Sequence, residues 1–212
     1  MADISILIPV HNSEKFLSRC IRSLLDQSLP REHFEIIVID DGSTDGSRKI
    51  IEAYESHITL ITLDENVGLP IALNHGIKKS MSRFITRVDS DDYVNRYFLE
   101  CLYSYFSYSP THDAVSCDYL LVEDNEEIIS RMDSLVHPIA CGIMFQRDHL
   151  ISLGLYNEDF KFLEDEEMRA RFLKSYSIDR IPLPLYRYRR HGANMTNNTE
   201  KILEYRQKLN ES

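Results

Sequence analysis

The chain has 212 residues, 34 acidic against 24 basic side chains, four cysteines and no tryptophan. Its formal charge of −10 excludes non-specific nucleic-acid binding, which needs a basic face, and charge-driven docking on an anionic membrane. The length suits one domain with its own core, and Cys20, Cys101, Cys117 and Cys141 lack C-x-x-C spacing, so they read as buried thiols of a reducing cytoplasm rather than as staples.

Ile4 to Val10 is a short apolar run that gives way to His11-Asn12, as a buried strand does on entering a loop. Phe16, Leu17, Cys20, Ile21, Leu24 and Leu25 recur at helical spacing, and Pro30 closes that segment. Phe34 to Ile39 reads as a second strand, stopped by Asp40-Asp41-Gly42-Ser43-Thr44-Asp45-Gly46. Ile50, Ile51 and Tyr54 give the next helix its apolar face, and Ile58 to Leu63 is a third strand. Pro70 suits a first helical turn, so helix is expected through Lys79. Phe84 to Val88 is a fourth strand, ended by Asp89-Ser90-Asp91-Asp92.

Alternation of strand and helix implies a parallel sheet covered on both faces, whose ligands sit beyond the carboxyl ends of the strands. The second half is less regular. A helix is expected around Phe98 to Phe106, strands at Ala114–Val122, Glu127–Met132 and Gly142–Phe145, and a helix over Gln146–Leu153. A charged helix over Glu164–Ser175 should turn Met168, Phe172 and Leu173 inward. Ile178–Tyr188 reads as extended, and Thr199–Leu209 as an amphipathic helix. No window approaches the roughly 18 apolar residues of a membrane span, which leaves at most peripheral association.

Neither G-x-G-x-x-G nor G-K-[ST] is present, so a phosphate cradle of backbone amides is not expected. Asp89 and Asp91 lie two apart after a buried strand and would share a face, where they could hold Mn²⁺ or Mg²⁺ and, through it, phosphate oxygens; the alternative is a solvated acidic turn. Asp40 and Asp41 could accept from a base N–H or a ribose hydroxyl, against a capping role. Glu164-Asp165-Glu166-Glu167 opens a helix, either complementing its dipole or supplying a general base, and residue chemistry does not choose among the four. Arg190 could face a pyrophosphate and His191 complete a metal site.

In order along the chain, five blocks resemble the family 2 glycosyltransferases. They are Ile8-Pro9-Val10-His11-Asn12; Val38-Ile39-Asp40-Asp41-Gly42-Ser43-Thr44-Asp45; Asn66-Val67-Gly68-Leu69 with Ala72 to Ile77; Arg87-Val88-Asp89-Ser90-Asp91-Asp92; and Glu164-Asp165 with Tyr188-Arg189-Arg190-His191-Gly192 and Asn194-Met195-Thr196. The resemblance implies an α/β GT-A fold: a Rossmann-like, mostly parallel sheet flanked by helices, with a nucleotide-sugar half over 1–110 and a smaller mixed acceptor half over 111–212. It implies that Pro9, Val10, His11, Asn12, Asp40 and Asp41 hold the base and ribose of a nucleotide sugar, usually a UDP-sugar, and that Asn66, Gly68 and Asn74 shape the uridine side. Asp89 and Asp91 would bind a metal–diphosphate, Arg87, Ser90 and Asp92 would lie near the donor, and Asp165 would be the base in an inverting transfer.

Leu73 stands where many relatives carry arginine, and the Q-x-x-R-W signature of processive synthases is absent. Both absences of processive features, signature and membrane spans, imply addition of one sugar to a glycan or lipid-linked acceptor at the cytoplasmic side, in bacterial surface polysaccharide synthesis. A sugar-1-phosphate nucleotidyltransferase would carry a glycine- and arginine-rich loop where His11-Asn12-Ser13 stands, and a silent nucleotide-sugar binder would not need Asp89, Asp91 and Asp165.

Overall fold

The computed structural model describes residues 2–108, 111–192, 194 and 197–211, so the motif residues Met195 and Thr196 lie outside the described residues. Strands β1 (Ile4–Val10), β2 (Phe34–Asp41), β3 (Thr59–Leu63) and β4 (Phe84–Arg87) alternate with helices α1 (Leu17–Leu25), α2 (Ser47–Ala53) and α3 (Leu69–Lys79). They form the expected parallel sheet in the order β3-β2-β1-β4. Register is set along its length, from Ile4 opposite Phe34 to Val10 opposite Asp40.

All seven residues of β1 are buried because helices cover both faces. Ile4, Ile6, Ile8 and Val10 pack with Leu17, Ile21 and Leu24 of α1. Leu7, which points the other way, packs with Ile37 and Ile39 and with Ala72, Leu73 and Ile77 of α3. Leu73 is thus a core residue with no exposed surface.

After β5 (Tyr93–Val94) and α4 (Phe98–Tyr108), the chain forms β6 (Ala114–Val122), β7 (Ile128–Met132), β8 (Ile143–Gln146), α5 (Arg147–Ser152), α6 (Glu164–Phe172), β9 (Ile178–Arg189) and α7 (Thr199–Glu211). The sheet continues β4-β8-β6-β9-β5, with β7 on the side of β6. β8 runs antiparallel to both β4 and β6, and β6 pairs in parallel with β9. Strands β1, β2, β4, β6 and β9 therefore end at the same edge, where β8 begins.

Three details depart from the sequence reading. The two-residue β5 was not expected; it is too short to show periodicity and exists because it pairs with β9. Helix α6 stops at Phe172, and Leu173 is 52% exposed rather than inward, because the chain turns out of the helix there. No described residue of α7 is buried, although Tyr205 meets Phe160 and Phe162 edge to edge or tilted. The four thiols are free; three are buried and Cys101 is half-buried.

Gly42 shows where backbone geometry dictates sequence. Its φ is +63°, and a Cβ there would lie 2.5 Å from the Glu65 carbonyl carbon and 2.6 Å from the Asn66 nitrogen. Gly42→Ala is expected to destabilise the fold by about 1–3 kcal/mol, read as a lower urea midpoint at unchanged slope. An unchanged midpoint would show that the 65–66 segment yields freely.

Candidate active site

At the shared strand edge lies a cleft of about 1030 Å³. Most of the expected residues meet there: Pro9, Val10, His11 and Asn12 after β1; Asp41 at the end of β2; Asn66 and Gly68; Arg87, Asp89, Ser90, Asp91 and Asp92 after β4; Asp165 on α6; and His191 after β9. Asp40, Asn74 and Arg190 are not part of the lining. Asp40 accepts from the Ser43 amide at 3.0 Å and from Arg48 at 3.1 Å, which consumes it in the turn after β2. Asn74 donates to the Tyr156 carbonyl and accepts from the Tyr156 amide, tying α3 to the segment after α5. These two fall outside the cleft because their polar atoms are spent holding neighbouring backbone.

The nucleoside-sized end of the cleft is rigid. Asp41 accepts from the amides of Val67 (2.8 Å) and Gly68 (3.0 Å), fixing the 66–68 loop on β2. Asn12 adopts φ +51°, which asparagine tolerates, and its Oδ1 accepts from the Thr44 amide at 2.8 Å. The exposed His11 bonds through Nδ1 to the Asp41 carbonyl at 2.7 Å, which presents the ring beside the loop.

The aspartates after β4 split between partners. Asp89 is gripped by Arg87 through Nε (2.6 Å) and Nη2 (3.1 Å), and the Cys141 thiol donates to it at 2.9 Å. Asp91 instead accepts from His191 Nε2 at 2.8 Å and from Asn194. Asp92 is buried, accepting from the Tyr186 hydroxyl at 2.7 Å and the Arg189 amide at 2.8 Å, and burial with the nearby Asp91 and Asp89 charges pushes its pKa well up. Asp89 and Asp91 thus reach the cleft with different partners, Arg87 on one and His191 on the other, while Asp92 serves the loop's architecture.

A divalent cation fits Asp91 and His191. A carboxylate oxygen and an imidazole nitrogen on adjacent positions of one octahedral cation stand about 3 Å apart, close to the spacing found here. Both side chains are partly accessible from the cleft; beside them Asp89, Asp92 and Cys141, which line the same cleft, bring their ligand atoms within 4.8 Å of one another. An imidazole nitrogen beside the carboxylate oxygen favours Mn²⁺ over the oxygen-seeking Mg²⁺.

On α6 the four consecutive acids have separate fates. Glu164 is buried against Arg87 at 2.9 Å. Glu166 pairs with Arg206 and Glu167 with Arg171. Asp165 lines the cleft; its carboxylate takes the backbone amides of Asp165 and Glu166 at the start of the helix and, among the described residues, joins no ion pair. Burial raises its pKa, opposed by Arg87, and burial likewise pushes the neighbouring Glu164 up to about 7. Leu163, just before the helix, sits at φ +57°, a strained position for a branched side chain that aims the first turn of α6 at the cleft.

Sequence reasoning missed Cys141, Lys161 and Asp124, and had Arg189 only as part of the block after the last strand. Cys141 and Asp124 arrive at the cleft only because β8 starts and β6 ends at its edge, and no local pattern signals either. Lys161 lies against Gly68 within the cleft. Arg189 donates to the carbonyls of Asp91 and Asp124, joining the acidic loop to the far wall.

A nucleotide-sized cleft at the carboxyl edge of such a sheet, with an aspartate–histidine pair and an unpaired aspartate facing it, defines a GT-A glycosyltransferase architecture. Residues 5–158 match the model of glycosyl transferase family 2, and the chain belongs to that family. Among curated relatives, the poly(ribitol-phosphate) beta-glucosyltransferase of Bacillus spizizenii is 41% identical over 110 residues, covering 50% of this chain and 17% of that protein. Glycosyltransferase GlyG of Streptococcus pneumoniae is 27% identical over 220 residues, covering 91% of this chain and 72% of its own length. Several of these relatives are far longer: the chain spans 17% of Staphylococcus aureus TarS, a poly(ribitol-phosphate) beta-N-acetylglucosaminyltransferase. The crystal structure of S. aureus TarS with UDP-GlcNAc superposes with a TM-score of 0.81 at 22% identity, covering 93% of this chain and 61% of that one. A mannosyltransferase from Pyrobaculum calidifontis with GDP-Man and Mn²⁺ gives 0.76 at 19%, covering 94% and 60%. These likenesses establish the fold.

Proposed function

We propose that this domain transfers a single sugar from a UDP-sugar to a hydroxyl of a glycan or lipid-linked acceptor, with inversion. The observation that carries the reading is the carboxylate of Asp165, unpaired among the described residues and facing the same cleft as Asp91 and His191. Residues 1–110 supply the nucleotide side and 111–212 the acceptor side, in a process of bacterial surface or cell-wall polymer synthesis at the cytoplasmic face. The names of the relatives and the UDP-GlcNAc bound by TarS support that setting.

Asp89, Asp91 and His191 would hold the cation, with Mn²⁺ or Mg²⁺ as the candidates. When bound, that ion supplies positive charge for the departing diphosphate. The protein's own part is positional. The 66–68 loop and the residues after β1 seat the nucleoside, and Arg87, fixed between Asp89 and Glu164, keeps the acidic loop and α6 in one geometry. Asp165 accepts the proton of the acceptor hydroxyl as its oxygen attacks the anomeric carbon from the face opposite the diphosphate, which inverts that centre.

Donor binding is tested by thermal unfolding with UDP-, GDP-, dTDP- and CMP-sugars, with and without Mn²⁺. One nucleotide class at about a hundred times its Kd should raise Tm by about 5 °C or more, and only with metal. Asp91→Ala and His191→Ala should abolish the metal-dependent part while leaving the Tm of the ligand-free protein within about 2 °C of the parent. A response that survives both substitutions would remove these residues from the metal site.

A further inference from the structure

Outside the cleft, a second pocket of about 520 Å³ opens between α1, β5 and β9. Its charge runs against that of the chain. Arg19, Arg22, Arg96 and Arg187 line it, with Asp26 as the one acid in the lining. Arg19 is paired with Glu126 at 3.0 Å. Arg22 and Arg187 donate to backbone carbonyls, of Ser18 and of Pro184 and Tyr186, and among the described residues no carboxylate lies within ion-pair distance of Arg22, Arg96 or Arg187. Burial lowers the Arg187 pKa, so its charge is held at a cost that a bound anion would offset. A protein with formal charge −10 that gathers three arginines unmatched by carboxylates around a concavity has built a local field of the opposite sign.

We infer that this pocket binds a phosphate or phosphodiester group of a soluble ligand. Guanidinium groups present forked donors to phosphate oxygens, and several arginines converging in a recess match a tetrahedral dianion or a diester better than a lone carboxylate. The recess argues against a bilayer, which meets a protein along a convex or flat basic face and which the overall negative charge repels. The site is distinct from the cleft yet adjoins it. The Tyr93 ring carries the Arg19 guanidinium at 4.0 Å and that of Arg189 at 5.2 Å, while Arg189 lies over Phe16, whose ring is 4.7 Å from that of His191. A phosphate group held here would stand beside the metal side of the cleft, where a charged acceptor could be steered. The assignment rests on the pocket and not on the transferase reading.

The test is calorimetric titration with inorganic phosphate and with diglycerol phosphate at low ionic strength, on the whole chain without metal. The parent and Asp91→Ala should bind alike, while Arg22→Gln/Arg96→Gln, which changes two exposed side chains, should bind at least about tenfold more weakly. Arg187→Gln should do the same; because that side chain also braces two carbonyls, its unfolding midpoint is measured alongside. Absence of phosphate binding by the folded parent would overturn the inference, as would binding that the arginine substitutions leave intact. Co-sedimentation with phosphatidylglycerol but not phosphatidylcholine vesicles, without binding of either soluble probe, would overturn it in favour of a membrane contact. None of these results depends on whether a nucleotide sugar stabilises the protein, so failure here and failure of the proposed transfer are read separately.

Discussion

Asp165→Asn should lower the transfer rate by about two to four orders of magnitude while leaving metal-dependent donor binding intact. The substitution keeps the shape of the side chain and removes its capacity to take a proton. Among the described residues it breaks no ion pair, and the amide oxygen can still accept from the backbone amides that the carboxylate meets, so the fold should hold. The loss should appear in kcat rather than KM. Replacing Glu166, whose pairing with Arg206 is half-exposed, should cost the transfer little by comparison.

The parent's pH profile adds a second readout. Burial raises the pKa of Asp165, opposed by Arg87, and its neighbour Glu164 is pushed up to about 7. As pH falls, the buried Asp165 takes up its proton at a higher pH than an ordinary carboxylate does, and the rate should fall with it. An Asp165→Asn enzyme that kept the parent's rate and acid limb would eliminate this aspartate as the base.

Arg87→Met should be the most damaging single change to stability. The guanidinium is 8% exposed and binds Asp89 on one side and Glu164 on the other. Burial opposes its charge, but Asp89 and Glu164 hold its pKa well above the ordinary guanidinium value. Without it, buried Glu164 loses its cation and Asp89, on the cleft wall, keeps only the Cys141 thiol as a side-chain partner among the described residues. Removing one partner of a buried ion pair costs about 3–5 kcal/mol, and here both carboxylates lose theirs. The expected signature is a large drop in the urea midpoint that recovers in part at low pH, where Glu164 is protonated. A fall of less than about 1 kcal/mol would show that the two acids find other partners.

The first ninety residues were legible because their signals are local. Even and odd residues of β1 face different helices, and the strand ends carry the polar clusters that the sheet then gathers at one edge. The cleft's far wall was not legible, since it depends on pairings across the chain. Nothing near Ile178 announces that β9 will insert between β6 and β5, yet that insertion delivers His191 to Asp91. Nor does Asn74 advertise that Tyr156 will consume it. The acids of α6 show the boundary well. Residue chemistry left four candidates open, and the resemblance singled out Asp165. In the structure Glu164, Glu166 and Glu167 are each taken by an arginine, of which only Arg171, one helical turn from Glu167, stands at a spacing that could be read in advance.

The position of β9 also has a consequence for how the molecule comes into being. Its pairing with β6 joins segments some sixty residues apart, and its pairing with β5 joins segments more than ninety apart, from Tyr93 to Arg187. Contacts of such long range form slowly, after local hairpins and βα units have collapsed. On a ribosome the nucleoside half has all its strands in hand long before β9 emerges, whereas the Asp91–His191 pair must wait for it. The Asp91–His191 pair is therefore among the last parts of the cleft to be assembled, and a nascent chain gains most of its shape before that pair forms.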